Sequence, residues 1–200
     1  MMKKIILPLV LILLIVACSE DENSGLSMEE TESLKFTAEQ EKLSVELYLY
    51  AFSAYNLPIF QEIANKKTRH LTEVRAVMED LDVEDPTEGI GVGVFNNTEI
   101  QTLYNQMRSR IEEGQNNAFI AALTVEESII HFSGISLSET SNNTLIELYE
   151  AIICGSKNHF RTFYSELTTS KSYVSQYFTQ EEFSDIVNSG QEDCDRGDNW

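Results

Sequence analysis

Polar residues interrupt four apolar stripes at positions where they could meet. Steps of three and four join Glu41 to Val45, Tyr48, Phe52 and Tyr55, and join Phe60 and Ile63 to Lys67, His70, Val74, Val77 and Leu81. The same spacing groups Phe119, Ala122, Leu123, Glu126, Ile129 and Ile130, and then Leu145, Tyr149, Ile152, Ser156, His159 and Phe163. Residues so spaced share one face of a helix, so each stripe would carry its polar residue into a common interior. Carboxylates and imidazoles gathered there form an N/O ligand set suited to iron, manganese or zinc. Carboxylate bundles that hold two metals take one Glu from each of two helices and Glu-x-x-His from each of the other two. Here Lys67-Thr68-Arg69-His70 and Ser156-Lys157-Asn158-His159 keep the histidines and replace the carboxylates.

The candidate metal ligands are therefore Glu41, His70, Glu126, Glu127 and His159, with Lys67 and Ser156 as substitutions within the site. The cofactor is unassigned, and one divalent metal (Fe, Mn or Zn) is the most that this set accommodates. A buried ammonium is tolerable only when paired, so Lys67 is expected to bridge Glu41 or Glu126. Glu127 lies at the edge of its stripe, and its simplest reading is a surface pair with His131 one turn later. No serine or cysteine has the surroundings of a nucleophile, so no catalytic residue is assigned.

Positioning these residues requires long helices. The spacing predicts helices over 37–55, 58–82, 98–113, 116–133 and 143–167, with a short one near 180–188. Thr37–Gln40, Thr98–Gln101 and Thr179–Glu182 have capping-box spacing, Pro58 suits a first helical position, and Asn142 or Asn143 can cap the fifth helix. The loop "DPTEGIGVGVF" lacks the glycine pattern and the strand-to-helix setting of a phosphate-binding loop. No strand is convincing. The expected fold class is all-α, an antiparallel four-helix bundle with extra short helices.

The ends speak of export. Lys3 and Lys4 precede the apolar run "IILPLVLILLIVA", which has the length of a signal-peptide core. It ends in Ile15-Val16-Ala17-Cys18, which resembles a bacterial lipobox with Cys18 as the lipidated residue. The following Ser19-Glu20-Asp21-Glu22 resembles the acidic export signal of surface lipoproteins in Bacteroidetes. The expected division is a signal peptide over 1–17, an acidic flexible tether over 18–36, the helical domain over 37–190 and an acidic tail over 191–200. The expected location is the cell envelope, as an outer-membrane lipoprotein exposed at the surface, with the membrane as partner through the lipid on Cys18. The protein partner is unassigned, and a homo-oligomer is compatible with the chain.

The full chain has 14 Lys and Arg against 33 Asp and Glu, a net charge of −19, which argues against nucleic acid as a partner. The acids of the tail do not follow the spacing of an EF-hand loop. Beyond Cys18 only Cys154 and Cys194 remain. A disulfide between them and a buried thiol beside a loose tail are both open from sequence.

The segments "EKLSVELYLYAF", "LPIFQEIANKKTRHLTEV", "GVFNNTEIQTLY", "ELYEAIICGSKNHFRTF" and "YFTQEEFSDIV" resemble successive blocks of the bacterial ferritin-like family known as domain of unknown function 2202, over roughly residues 38–188. The resemblance implies a ferritin-like bundle and suggests metal binding. It carries Glu41, His70, Glu126 or Glu127, and His159 over as site residues. Lys67 departs from the family pattern, whereas Ser156 matches it. The expected function is a non-enzymatic binding role in the envelope around a degenerate metal site. The alternative is a metal-dependent oxidoreductase or iron-handling protein using the remaining Glu and His residues.

Overall fold

A computed structural model describes residues 25–167 and 173–194. The leader, Cys18, and the last part of the tail lie outside the described residues. Among the described residues six helices follow in order: α1 (Met28–Tyr55), α2 (Pro58–Asp80), α3 (Thr98–Glu112), α4 (Gln115–Glu139), α5 (Asn143–Glu166) and α6 (Gln180–Asn188). No strand occurs among the described residues. The fold is all-α, as the spacing predicts.

Helix α1 starts nine residues earlier than the sequence suggests, so the stretch 28–36 is helix and not tether. The reason is the cap. Ser27 accepts a hydrogen bond from Glu30 N–H while its own N–H donates to the Glu30 carboxylate, closing a capping box ahead of the one read at Thr37. Thr37 lies inside the helix, its hydroxyl bonded back to the Ser33 carbonyl. Asn97, rather than Thr98, caps α3 by accepting from Glu99 and Ile100 N–H. Asn142, Pro58 and the Thr179–Glu182 box take the expected places.

Asn56, in the left-handed region at φ 51°, ends α1, and with Leu57 it forms the tight turn into α2. A second short turn joins α4 to α5. The two hairpins pack face to face. Ser33 meets Ser136 and Tyr48 meets Glu126, so α1 and α4 run antiparallel; Phe60 meets Phe163 and Lys67 meets Ser156, so α2 and α5 do too. The long crossover that carries α3 makes this the ferritin-like variant of the bundle. Helix α4 is apolar enough by composition to cross a membrane, yet 72% of its most apolar window is buried inside the protein.

One end of the core is aromatic: Phe60 stacks on Phe119 at 5.0 Å, and Phe163 contacts Phe60 and Tyr48. The crossover is held by the polar face of α1. Lys42 Nζ donates to the carbonyls of Gly91 and Val94, pairs with Glu46 at 2.7 Å and lies 4.3 Å over the Phe95 ring. Glu46 accepts from Gly93 N–H and Glu39 from Asn97 N–H.

Candidate functional site

Midway along the bundle, the four stripes bring Glu41 (α1), Lys67 and His70 (α2), Glu126 (α4), and Ser156 and His159 (α5) into contact. All are at most 2% exposed. Lys67 Nζ lies 2.8 Å from Glu41 Oε1 and 3.5 Å from Glu126 Oε2, and donates to Ser156 Oγ at 3.2 Å. It therefore bridges both carboxylates. The histidines flank this centre: His70 Nδ1 is 3.6 Å from Glu41 Oε2, His159 Nδ1 is 3.5 Å from Glu126 Oε1, and the two rings stack at 5.5 Å.

Tyr48, which is not among the candidate site residues read from the sequence, donates its hydroxyl to Glu126 Oε1 at 2.8 Å. Its place on the Glu41 stripe, two turns further on, is the signal that could have assigned it to the cluster.

The two carboxylates differ electrostatically. Burial is the largest influence on Glu126 and opposes its ionisation. Lys67, His159 and the Tyr48 hydroxyl together outweigh it and bring the carboxyl down to about 2. For Glu41 burial wins over the Lys67 ammonium, and its pKa is raised. Burial also lowers both histidines, His70 well below 6.5, where Lys67 and His159 add to the effect. Glu126 partly offsets the shift at His159. The cluster at neutral pH is thus a lysine between one firmly ionised and one reluctantly ionised acid, with two neutral imidazoles beside it.

These residues do not fit a metal centre. Among the described residues no group of three or more His, Cys, Asp or Glu is disposed to hold a metal ion. The position between Glu41 and Glu126, where a bridging cation would sit, is filled by the lysine Nζ.

Glu127 belongs elsewhere. It is buried rather than at the surface beside His131, and it faces the segment leading into α6. The hydroxyls of Tyr173 and Ser175 donate to it, as do the N–H groups of Gln176, Tyr177 and Phe178 at 2.7–2.9 Å. His131 instead stacks on Tyr177 at 4.9 Å. The missed signal is remote in sequence: no local pattern pairs residue 127 with 173–178. Cys154 and Cys194 are disulfide-bonded, their Cα atoms 5.7 Å apart.

A family described as "Uncharacterized protein domain (DUF2202)" matches residues 30–190. This chain belongs to that family. Among curated proteins, the uncharacterized protein MJ0754 of Methanocaldococcus jannaschii is 30% identical over 168 residues, covering 84% of this chain and 91% of the relative. The crystal structure of the hypothetical protein MJ0754 superposes with a TM-score of 0.80, covering 84% of this chain and 96% of that one. Neither name states an activity. The DUF2202 resemblance read from the sequence blocks is thereby established, and with it the fold.

Two outcomes follow from the electrostatics. Lys67→Met strands two buried acids and should cost about 3–5 kcal/mol in urea unfolding at pH 7.5. The deficit should shrink towards pH 5 as the acids take up protons. In the wild type, the unfolded histidines bind protons below pH 6.5 while native His70 and His159 resist. Their contribution is complete above pH 6.5 and is lost on acidification, by up to about 1.4 kcal/mol per pH unit for each. Glu41 acts in the opposite sense, and Glu126 only between 4.5 and about 2. The slope of stability against pH between 6.5 and 5.5 should therefore flatten in a His70→Gln, His159→Gln double variant.

Proposed function

We propose that this DUF2202 chain is an exported, lipid-anchored envelope protein whose ferritin-like bundle has a lysine in the place of its metal, and whose role is to bind rather than to catalyse. The observation that carries the reading is Lys67 Nζ held between Glu41 and Glu126 in the sealed interior. A cation fixed by a covalent side chain neutralises the acids without supplying a redox couple or an open coordination position. Oxygen or iron chemistry of the two-metal kind then has nothing to run on.

Export is supported by the leader and lipobox-like run ending at Cys18. The Cys154–Cys194 bond is in keeping with it, because such bonds persist mainly in oxidising compartments. The strongly acidic composition disfavours nucleic acid and anionic lipid as targets, so the partner sought is a protein or a cationic species.

Elemental analysis of residues 26–200, purified without a metal-binding tag after growth with iron, manganese and zinc, is the deciding experiment. The expected result is substoichiometric metal in the wild type, and gain of a divalent ion in Lys67→Glu, where the lost carboxylate returns beside His70. Stoichiometric metal in the wild type that disappears in a His70→Ala, His159→Ala double variant would establish the oxidoreductase or iron-handling alternative instead. For the anchor, the full-length chain should incorporate labelled fatty acid and fractionate with membranes, and Cys18→Ser should abolish the labelling. Fatty-acid labelling unchanged by that substitution would refute lipidation at Cys18.

A further inference from the structure

Helix α5 presents a second constellation away from Lys67. Cys154, Asn158 and Arg161 recur at intervals of one turn and together hold the C-terminal segment. Asn158 Oδ1 accepts from the N–H of Glu192 at 2.8 Å, and Asn158 Nδ2 donates to the Glu192 carbonyl at 3.0 Å. Arg161, only 7% exposed, pairs through Nη2 with the Glu192 carboxylate at 2.8 Å. The same nitrogen donates to Asn158 Oδ1 at 2.6 Å, which fixes the amide in the orientation that grips the peptide. Arg161 Nη1 reaches Ser189 Oγ at 3.0 Å and the Ile186 carbonyl at 3.4 Å. Two residues further on, Cys194 is bonded to Cys154.

One glutamate is thus read three times, by its backbone N–H, its backbone carbonyl and its charge. A disulfide alone requires none of this. A side-chain amide that takes both backbone groups of one residue is a means of recognising an extended peptide, and a buried arginine one turn away sets the preference for an acid.

We propose that Asn158 and Arg161 form a peptide-binding clamp selective for glutamate, that Glu192 fills it in cis, and that the Cys154–Cys194 bond keeps it filled. The partner it fits is an extended acidic segment of another chain, with the local chemistry of Gln191-Glu192-Asp193. While the bond is intact, the tethered segment is present at an effective concentration no free peptide matches. A dithiol reductant opens it: the dithiol becomes a disulfide, its two electrons and two protons pass to the sulfurs, and Cys154 and Cys194 become free thiols. The segment is then tethered from one side only, through α6, its effective concentration falls, and it exchanges with a competitor. This inference stands apart from the metal question, since the side-chain bonds of Asn158 and Arg161 described above run to the C-terminal segment and to each other, not to the Lys67 cluster.

The test is fluorescence anisotropy of a labelled peptide, Asn-Ser-Gly-Gln-Glu-Asp-Ser, with the full chain. A Glu192→Pro, Cys194→Ser variant removes the competing carboxylate, its N–H and the covalent latch. It should bind the peptide at least ten-fold more tightly than the oxidised wild type, and a peptide with Gln in place of Glu should lose most of that gain. Equal binding by the two proteins, or indifference to the Glu-to-Gln change, overturns the proposal. Should the variant fail to fold, the wild type reduced with dithiothreitol takes its place. It is expected to bind more tightly than its oxidised form, and no difference between them overturns the proposal equally.

Discussion

The bundle is organised around one ammonium group that has no access to water. Lys67 is fully buried, and an isolated charge there would be very costly. It is acceptable because Glu41 and Glu126 approach from two other helices and Ser156 from a fourth. Each helix of the bundle therefore contributes one group to the same electrostatic arrangement, and none can be displaced without leaving another uncompensated. Such a centre adds little net stability over a well-packed apolar one. What it fixes is the relative register of four helices, because a shift of one turn would separate the charges.

The same device recurs at the periphery with a different partner. Lys42 also loses nearly all of its solvent contact, but its ligands are two backbone carbonyls, a carboxylate and the face of Phe95. It fastens the long crossover to α1. Glu127 does the reverse with negative charge, gathering three backbone N–H groups and two hydroxyls before α6. Irregular segments in this protein are held by buried side-chain charges from the helices, which satisfy the backbone groups that helices and sheets would satisfy internally.

The interior was legible because its signal is periodic. Glu41, Lys67, His70, Glu126, Ser156 and His159 stand on stripes whose spacing forces them inward, and their mutual contact needs only the bundle to be assumed. The helix ends were legible where capping chemistry was unique, as at Pro58 and Thr179. Helix α1 was misjudged because two Ser/Thr-x-x-Glu/Gln patterns occur in succession, and composition favoured the later one. Glu127, the Glu39–Lys42–Glu46 face and the Asn158–Arg161 clamp were not legible. Their partners lie tens of residues away in irregular chain, where no period links donor to acceptor. The disulfide was undecided for the same reason, since spacing in sequence does not bring two Cα atoms within reach.

Glu126 and Glu127 are neighbours in sequence that point to different places, one to Lys67 and the other to the segment before α6. Helix α4 is therefore pinned against rolling about its own axis: a turn in either direction that eases one carboxylate withdraws the other from its donors. Rolling of α4 is thus not a route by which the interior could open for a larger guest. Change at the centre is then easier through the identity of the residue at position 67 than through movement of Glu126.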